Sequence, residues 1–465
     1  MVNPLQCEPI RESSTNLREV GNTVYALIRD LYPICRSITG DGFRQTLKRL
    51  SQEIPLQVYE VPTGTQVFDW TVPREWNIRD AYVKNSQGER VIDFRQHNLH
   101  VVNYSVPVHR QMSLAELKPH LHSLPDRPEW IPYRTSYYTP NWGFCLPHRE
   151  LEQMPEDQYE VCIDSILGEG SLTYGEYYLK GKSEDEILIS VHACHPSLCN
   201  DNLSGVSVAT FLAAHLSQLQ PRYSYRFLFI PGTIGSITWL SRNEDHVPLI
   251  KHGLVLTCIG DRGDFTYKKS RKGEAEIDRV IAHVLAQSGR PYKIVDFSPY
   301  GYDERQYCSP GFDLAVGCLM RSPHGQFPEY HTSADNLDFV DPESLAGSLQ
   351  TILAVLQVLE DNRTYLTLNP KCEPQLGKRG LYGAIGGASP REFEMAMLWL
   401  LNLSDGGATL LDIAERSQMD CRLLARAARA LTEARLLQEV APSRPHSAVS
   451  PLISGLPDSV GVPPQ

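Results

Sequence analysis

The chain has no long run of basic residues, no Cys-x-x-Cys pair and no long apolar stretch. Each absence excludes something. With a formal net charge of −11 there is no basic footprint, so binding of nucleic acid through charge alone is excluded and no nucleic-acid partner is expected. The 11 cysteines are scattered; Cys194 and Cys199 are near neighbours but lack a second pair at zinc-finger spacing. No apolar run approaches the roughly 20 residues that span a bilayer, so no membrane partner is expected. The first residues lack a secretory pattern and the cysteines suit a reducing compartment, so the expectation is a cytoplasmic protein.

Material for a core is ample. Hydrophobic residues make up 42% of 465 and charged ones 21%, which suits a globular chain of two or three domains. The stretch Glu186 to Gly205 stands out. Ile187 to Val191 is a short apolar run and predicts a buried strand. It ends at His192, and a polar turn with His195, Asn200, Asp201 and Asn202 follows. The apolar segment after Gly205 predicts a helix. A strand that delivers His and Asp to its carboxyl end puts them where open α/β sheets bind ligands. Imidazole nitrogen with carboxylate oxygen is a zinc donor set. A purely structural turn with polar caps would leave the same local pattern.

Upstream, apolar residues at helical spacing predict two N-terminal helices within residues 1–55, joined by a turn carrying Arg36 and Ser37. Residues 56–158 carry short alternating runs rich in Val, Tyr, Trp and Pro, which predicts an inserted β-rich domain. In it, Tyr137, Tyr138 and Trp142 fall in a segment dense in aromatics and hydroxyls, suited to a pocket wall or to packing between domains. Residues 159–375 alternate strands and helices, including strands at Glu160–Ile166, Tyr225–Ile230 and Gly253–Cys258, which predicts a mainly parallel sheet with helices on both faces. Residues 376–440 read as helix, helix-turn-helix and wing strand. Arg422, Arg426 and Arg429 lie on its second helix beside acidic residues, so packing or protein interaction is favoured there over DNA. The Pro- and Ser-rich tail 441–465 is expected to be disordered.

Four further pieces fall at strand ends: Pro231-Gly232-Thr233, Asp261, Tyr302 to Gly311, and Tyr330-His331. His192, His195, Asp201, Asp261, Asp303, Glu304 and His331 are therefore candidates to converge at one sheet edge. Together they form an N/O shell suited to one or two zinc ions.

The order strand-His, Asp201-Asn-Leu-Ser-Gly205, strand-turn, strand-Asp, His331-Thr-Ser-Ala-Asp-Asn-Leu337 resembles zinc aminopeptidases of the leucyl aminopeptidase and glutamate carboxypeptidase type. More closely, Phe68 to Pro73, Glu75 to Asp80, Asp303 to Pro310 and Phe327 to Asn336 resemble an aminopeptidase-like family with a nested β domain and a C-terminal winged helix. The resemblance covers about residues 15–440. It implies an α/β zinc-aminopeptidase-like fold with an inserted all-β domain and a winged-helix domain. It implies Asp201 as the bridging ligand, His192 or His195 as the first His, His331 as the late His and Asp261 as the mid-chain acid.

One position departs from the pattern. Zinc aminopeptidases carry a Glu in the turn after the next strand, which takes a proton from the attacking water and passes it to the leaving amine. Here that position is Gly232, which has no group to accept a proton. Glu304, Asp303 or Glu329 are the candidates to replace it. Arg305 and Tyr307 are the candidates to hold substrate, Arg being suited to a carboxylate or phosphate. The expectation is a metal-dependent hydrolase acting on a peptide N-terminus or a small-molecule amide. The alternative is a degenerate relative that binds ligand or does other chemistry on the metal site. Homo-oligomerisation is left open.

Overall fold

The computed structural model describes residues 14–381 and 390–441. The expected disorder of the tail concerns residues that lie, from 442 on, outside the described ones. The chain divides into two compact units between Glu360 and Asp361.

The first unit is built on one eight-stranded sheet. Its strands are β1 (Gln57–Pro62), β2 (Ser171–Leu179), β3 (Glu186–His192), β4 (Ser224–Ile230), β5 (Ile250–Leu256), β6 (Phe265–Lys268), β7 (Tyr292–Val295) and β8 (Val316–Met320). In space they run β1-β2-β4-β3-β5-β8-β6-β7. The central four, β4-β3-β5-β8, are mutually parallel. Every residue of β3 and β4 is buried. That is why these strands read as continuous apolar runs rather than alternating ones.

The chain leaves β3 through the helix Gly205–Leu216 to reach β4 on one side, then passes through the helix Ile234–Arg242 to reach β5 on the other. Right-handed crossovers in opposite directions put the two helices on opposite faces of the sheet. The carboxyl end of β3 is thus a topological switch point, where ligands settle in such folds. Helix Gly205–Leu216 is buried along most of its length. It packs against β3 and against the N-terminal helix Ser14–Leu31, so it has no polar face to offer solvent. Gly205 itself is obligatory: a β-carbon there would lie 2.5 Å from both Asn202 Oδ1 and the Leu256 carbonyl.

The expected domain boundaries need correction in two places. Residues 57–62 pair with β2 and belong to the main sheet, whereas Gln158–Gly168 pairs with Glu75–Lys84 and Val108–Ser113 in a separate four-stranded antiparallel sheet. The insert therefore lies inside 63–170 rather than at 56–158. Its own core joins Ala81, Val83, Ile92, Phe144, Tyr159, Val161 and Ile163. The strand expected at Glu160–Ile166 exists but is the centre of this insert, not part of the parallel sheet.

The second unit also starts earlier than 376. Thr364–Thr367 pairs with Asp405–Thr409 and with Leu437–Val440, closing a small sheet beside the helices Pro390–Leu403, Leu410–Ser417 and Cys421–Glu433. Thr409 and Asp412 form a reciprocal cap that starts the second of these helices. Arg422 pairs with Asp420, and Arg429 with Asp361. Among the described residues no helix is long and apolar enough to cross a membrane.

Candidate metal centre

The site forms where β3 ends. Asp201 is fully buried, and three histidines converge on it. His192 Nε2 lies 2.8 Å from Asp201 Oδ1, and His331 Nε2 lies 2.9 Å from Oδ2. His195 Nδ1 is 3.4 Å from Oδ2 and 3.3 Å from the Asp201 carbonyl. Donor atoms of His192, His195 and Asp201 all fall within 4.8 Å of one another. Burial alone would push the Asp201 carboxyl up; the histidines outweigh it and hold the group well below the usual carboxylate range. A buried ionised carboxylate ringed by imidazoles is a donor set that fits zinc.

Aromatic rings fix the imidazoles. Tyr302 stacks on His192 at 4.4 Å, and Tyr330 stacks on His331 at 3.9 Å. The two tyrosine hydroxyls then bond each other at 2.8 Å. Tyr133 sets its ring edgewise to His195 and His331, at 5.2 and 5.1 Å. Arg36, fully buried, donates from Nε to the His195 carbonyl at 2.9 Å. The turn carrying Arg36 thus braces the site.

A second carboxylate holds the loop. Asp335 accepts the backbone amides of Asn200 at 2.6 Å and Asp201 at 2.9 Å. Burial pushes its carboxyl up to about 8, against the pull of those amides. Asp335→Ala is expected to lower zinc affinity about 10–100-fold, as loss of an orienting contact does elsewhere. A zinc-competition titration measures it, and unchanged affinity would show that the loop needs no such brace.

Asp261 is not brought into the group. Its carboxylate accepts from the Asn200 side chain (2.8 Å), the Gly263 amide (2.6 Å) and the Ser322 hydroxyl (2.7 Å). Those donors hold it beside the loop, so it anchors Asn200, the residue before Asp201. Tyr307 is likewise no pocket residue: it is fully buried and its hydroxyl bonds Ser190 on β3 at 2.9 Å. Trp142 stacks on His120 at 3.6 Å and packs against the core of the insert. Tyr137 is tied to Tyr133 through their hydroxyls at 2.9 Å, one ring removed from the histidines. Tyr138 is half exposed and packs on Trp70. Arg305 is partly buried, with its Nε enclosed and without a hydrogen-bond acceptor.

The acids at 303 and 304 differ. Glu304 Oε1 accepts from Lys268 Nζ at 2.8 Å in a buried ion pair, and its Oε2 is buried without a partner. Asp303 Oδ1 accepts from Ser236 Oγ at 2.7 Å, while Oδ2 is buried without a partner. Burial raises the Asp303 carboxyl to about 7.

Residues 25–362 match the family described as "Domain of unknown function (DUF4910)". The chain belongs to this family. Residues 363–439 match a winged helix-turn-helix family. A Clostridium acetobutylicum protein is 57% identical over 434 residues, covering 93% of this chain and all of that one. It is named, provisionally, a polysaccharide biosynthesis protein with aminopeptidase-like domain. A crystal structure of a provisionally named peptidase from the same organism covers 92% of this chain and 98% of its own at 56% identity, with a TM-score of 0.88. The Bacillus subtilis zinc aminopeptidase BSAP covers 72% of this chain and 94% of its own at 11% identity, with a TM-score of 0.52. At that identity the likeness speaks to fold alone. The α/β unit of this DUF4910 member has the zinc-aminopeptidase fold, followed by a winged helix-turn-helix.

Proposed function

We propose that the protein is a zinc-dependent hydrolase of an amide or peptide bond, acting on a peptide N-terminus or an amide in a small metabolite. The observation that carries this is the convergence of His192, His195 and His331 on the buried carboxylate of Asp201, at the switch point of an aminopeptidase fold. His192, His195, Asp201 and His331 would hold the ion. Zinc, when bound, supplies Lewis acidity toward the carbonyl oxygen and lowers the pKa of water. The chain's own residues fix the imidazoles, exclude solvent and move the proton. The enclosed Nε of Arg305 supports a role in holding an anionic group of the substrate. The names of the Clostridium relatives support a peptide-like bond, in polysaccharide biosynthesis, as the setting. The free cysteines suit a reducing compartment such as the cytoplasm.

Stripping the metal with a chelator is expected to abolish hydrolysis, and stoichiometric zinc to restore it. Elemental analysis followed by a screen of aminoacyl anilides and amides checks both. Hydrolysis that survives metal removal counts against the proposal. Gly232 favours a second reading, a binding protein that retains the metal and has lost the chemistry. Zinc at full stoichiometry with no turnover on the whole panel would put that reading first.

A further inference from the structure

We infer that Asp303 supplies the proton transfer that position 232 cannot. This rests on the hydrolase reading above. Gly232 sits in the turn between β4 and the helix Ile234–Arg242. A β-carbon built there would lie 3.0 Å from His192 Cβ and 3.6 Å from Asp303 Oδ2. The place from which a side chain at 232 would start is therefore already lined by a carboxylate oxygen. That oxygen is buried and has no hydrogen-bond partner, which is rare in native folds and costly to keep.

The other oxygen is held. Ser236, in the first turn of the helix that follows Gly232, donates to Asp303 Oδ1 at 2.7 Å. Ser236 is a positioning residue: it fixes one oxygen and leaves the other turned to the space at Gly232. Glu304 does not compete for this role. Its Oε2 is also buried without a hydrogen-bond partner, but its Oε1 is paired with Lys268, and the carboxylate that approaches a β-carbon built at Gly232 is that of Asp303. The space left open at Gly232 and the unpartnered carboxylate oxygen beside it put an acid where a side chain at 232 would begin.

The chemistry balances. Asp303 Oδ2 takes one proton from the attacking water as the water oxygen bonds the amide carbon. It then gives that proton to the leaving nitrogen as the C–N bond breaks. The products are the carboxylic acid and the amine, and Asp303 returns to the carboxylate.

The test uses the full chain loaded with zinc, with zinc content measured for each variant. Asp303→Asn is expected to lower kcat/KM by about 10²–10⁴-fold with zinc content and KM unchanged, and to remove the acid limb of the pH–rate profile. Gly232→Glu in the Asp303→Asn background is expected to recover at least ~10-fold, because it returns a carboxylate to the same space. Gly232→Glu alone is expected to gain little, since it sets two acids side by side and crowds His192. Full activity in Asp303→Asn overturns the inference and leaves the hydrolase reading standing. So does a loss that comes with lost zinc and is not rescued at 232, which would make Asp303 structural. A zinc-loaded wild type inert on the whole panel overturns both.

Discussion

Asp201→Ala is expected to abolish zinc retention and reduce hydrolysis by roughly 10³–10⁴-fold. The magnitude follows from what a metal supplies: several kcal/mol of transition-state stabilisation, at about 1.4 kcal/mol for each factor of ten. No other described side chain can take over, because among the described residues Asp201 is the one carboxylate that His192, His195 and His331 all approach. Removing it leaves three imidazoles with no anionic ligand to neutralise the ion. The fold should survive, since the Asn200 and Asp201 amides remain on Asp335 and those bonds do not need the Asp201 side chain. Zinc per chain after dialysis, an unchanged circular dichroism spectrum and the residual rate are the three readings. Stoichiometric zinc in the variant would show that the ion sits elsewhere. His195→Ala should cost less, because His195 approaches Asp201 more loosely than the other two.

Much of this site was legible in the chain, and for a local reason. His192 and Asp201 are nine positions apart across one strand end, so β3 and the turn after it carry both. His331 was legible as one of several polar residues at strand ends, and the resemblance gave it its role, since nothing in spacing brings position 331 to position 201. The misread residues fail in a common way. Asp261 does stand at the end of a strand, yet whether a strand-end acid points at a metal or at Asn200 depends on neighbours hundreds of atoms away in sequence. Tyr307 belongs to a promising charged loop but turns inward to Ser190. Tyr302 and Tyr330 stood at strand ends without a role and Tyr133 was not singled out, because ring stacking on an imidazole has no signature in sequence. The fold shows the same division. β3, β4 and the helix after Gly205 were clear from apolar runs. β2 was not: its stretch Ser171–Leu179 is interrupted by Gly175 and Glu176, and it is held by β1 from more than a hundred residues upstream. Domain edges were displaced for that reason, since an insert's first strand and a returning strand of the main sheet have similar alternation.

Arg226→Met is expected to destabilise the first unit by about 3–5 kcal/mol without touching the metal centre. Arg226 on β4 stands opposite Tyr178 on β2 and Leu188 on β3. Strand side chains repeat every two residues, so Glu176 and Glu186, each two positions away, share its face of the sheet. Arg226 meets Glu186 through two bonds of 2.7 Å and also binds Glu176, whose other oxygen accepts from Trp239 Nε1 at 2.8 Å. Glu186 is 1% exposed and Glu176 and Arg226 are each 7% exposed, so water cannot replace a lost partner. Methionine keeps much of the volume and removes the charge, leaving two buried carboxylates facing each other. Denaturant midpoints at pH 7 measure the loss. Adding Glu176→Gln and Glu186→Gln to Arg226→Met should recover most of the loss at pH 7, because no buried charge remains to be paired. If the triple variant stays as weak as the single one, packing against Trp239 rather than charge is what Arg226 provides.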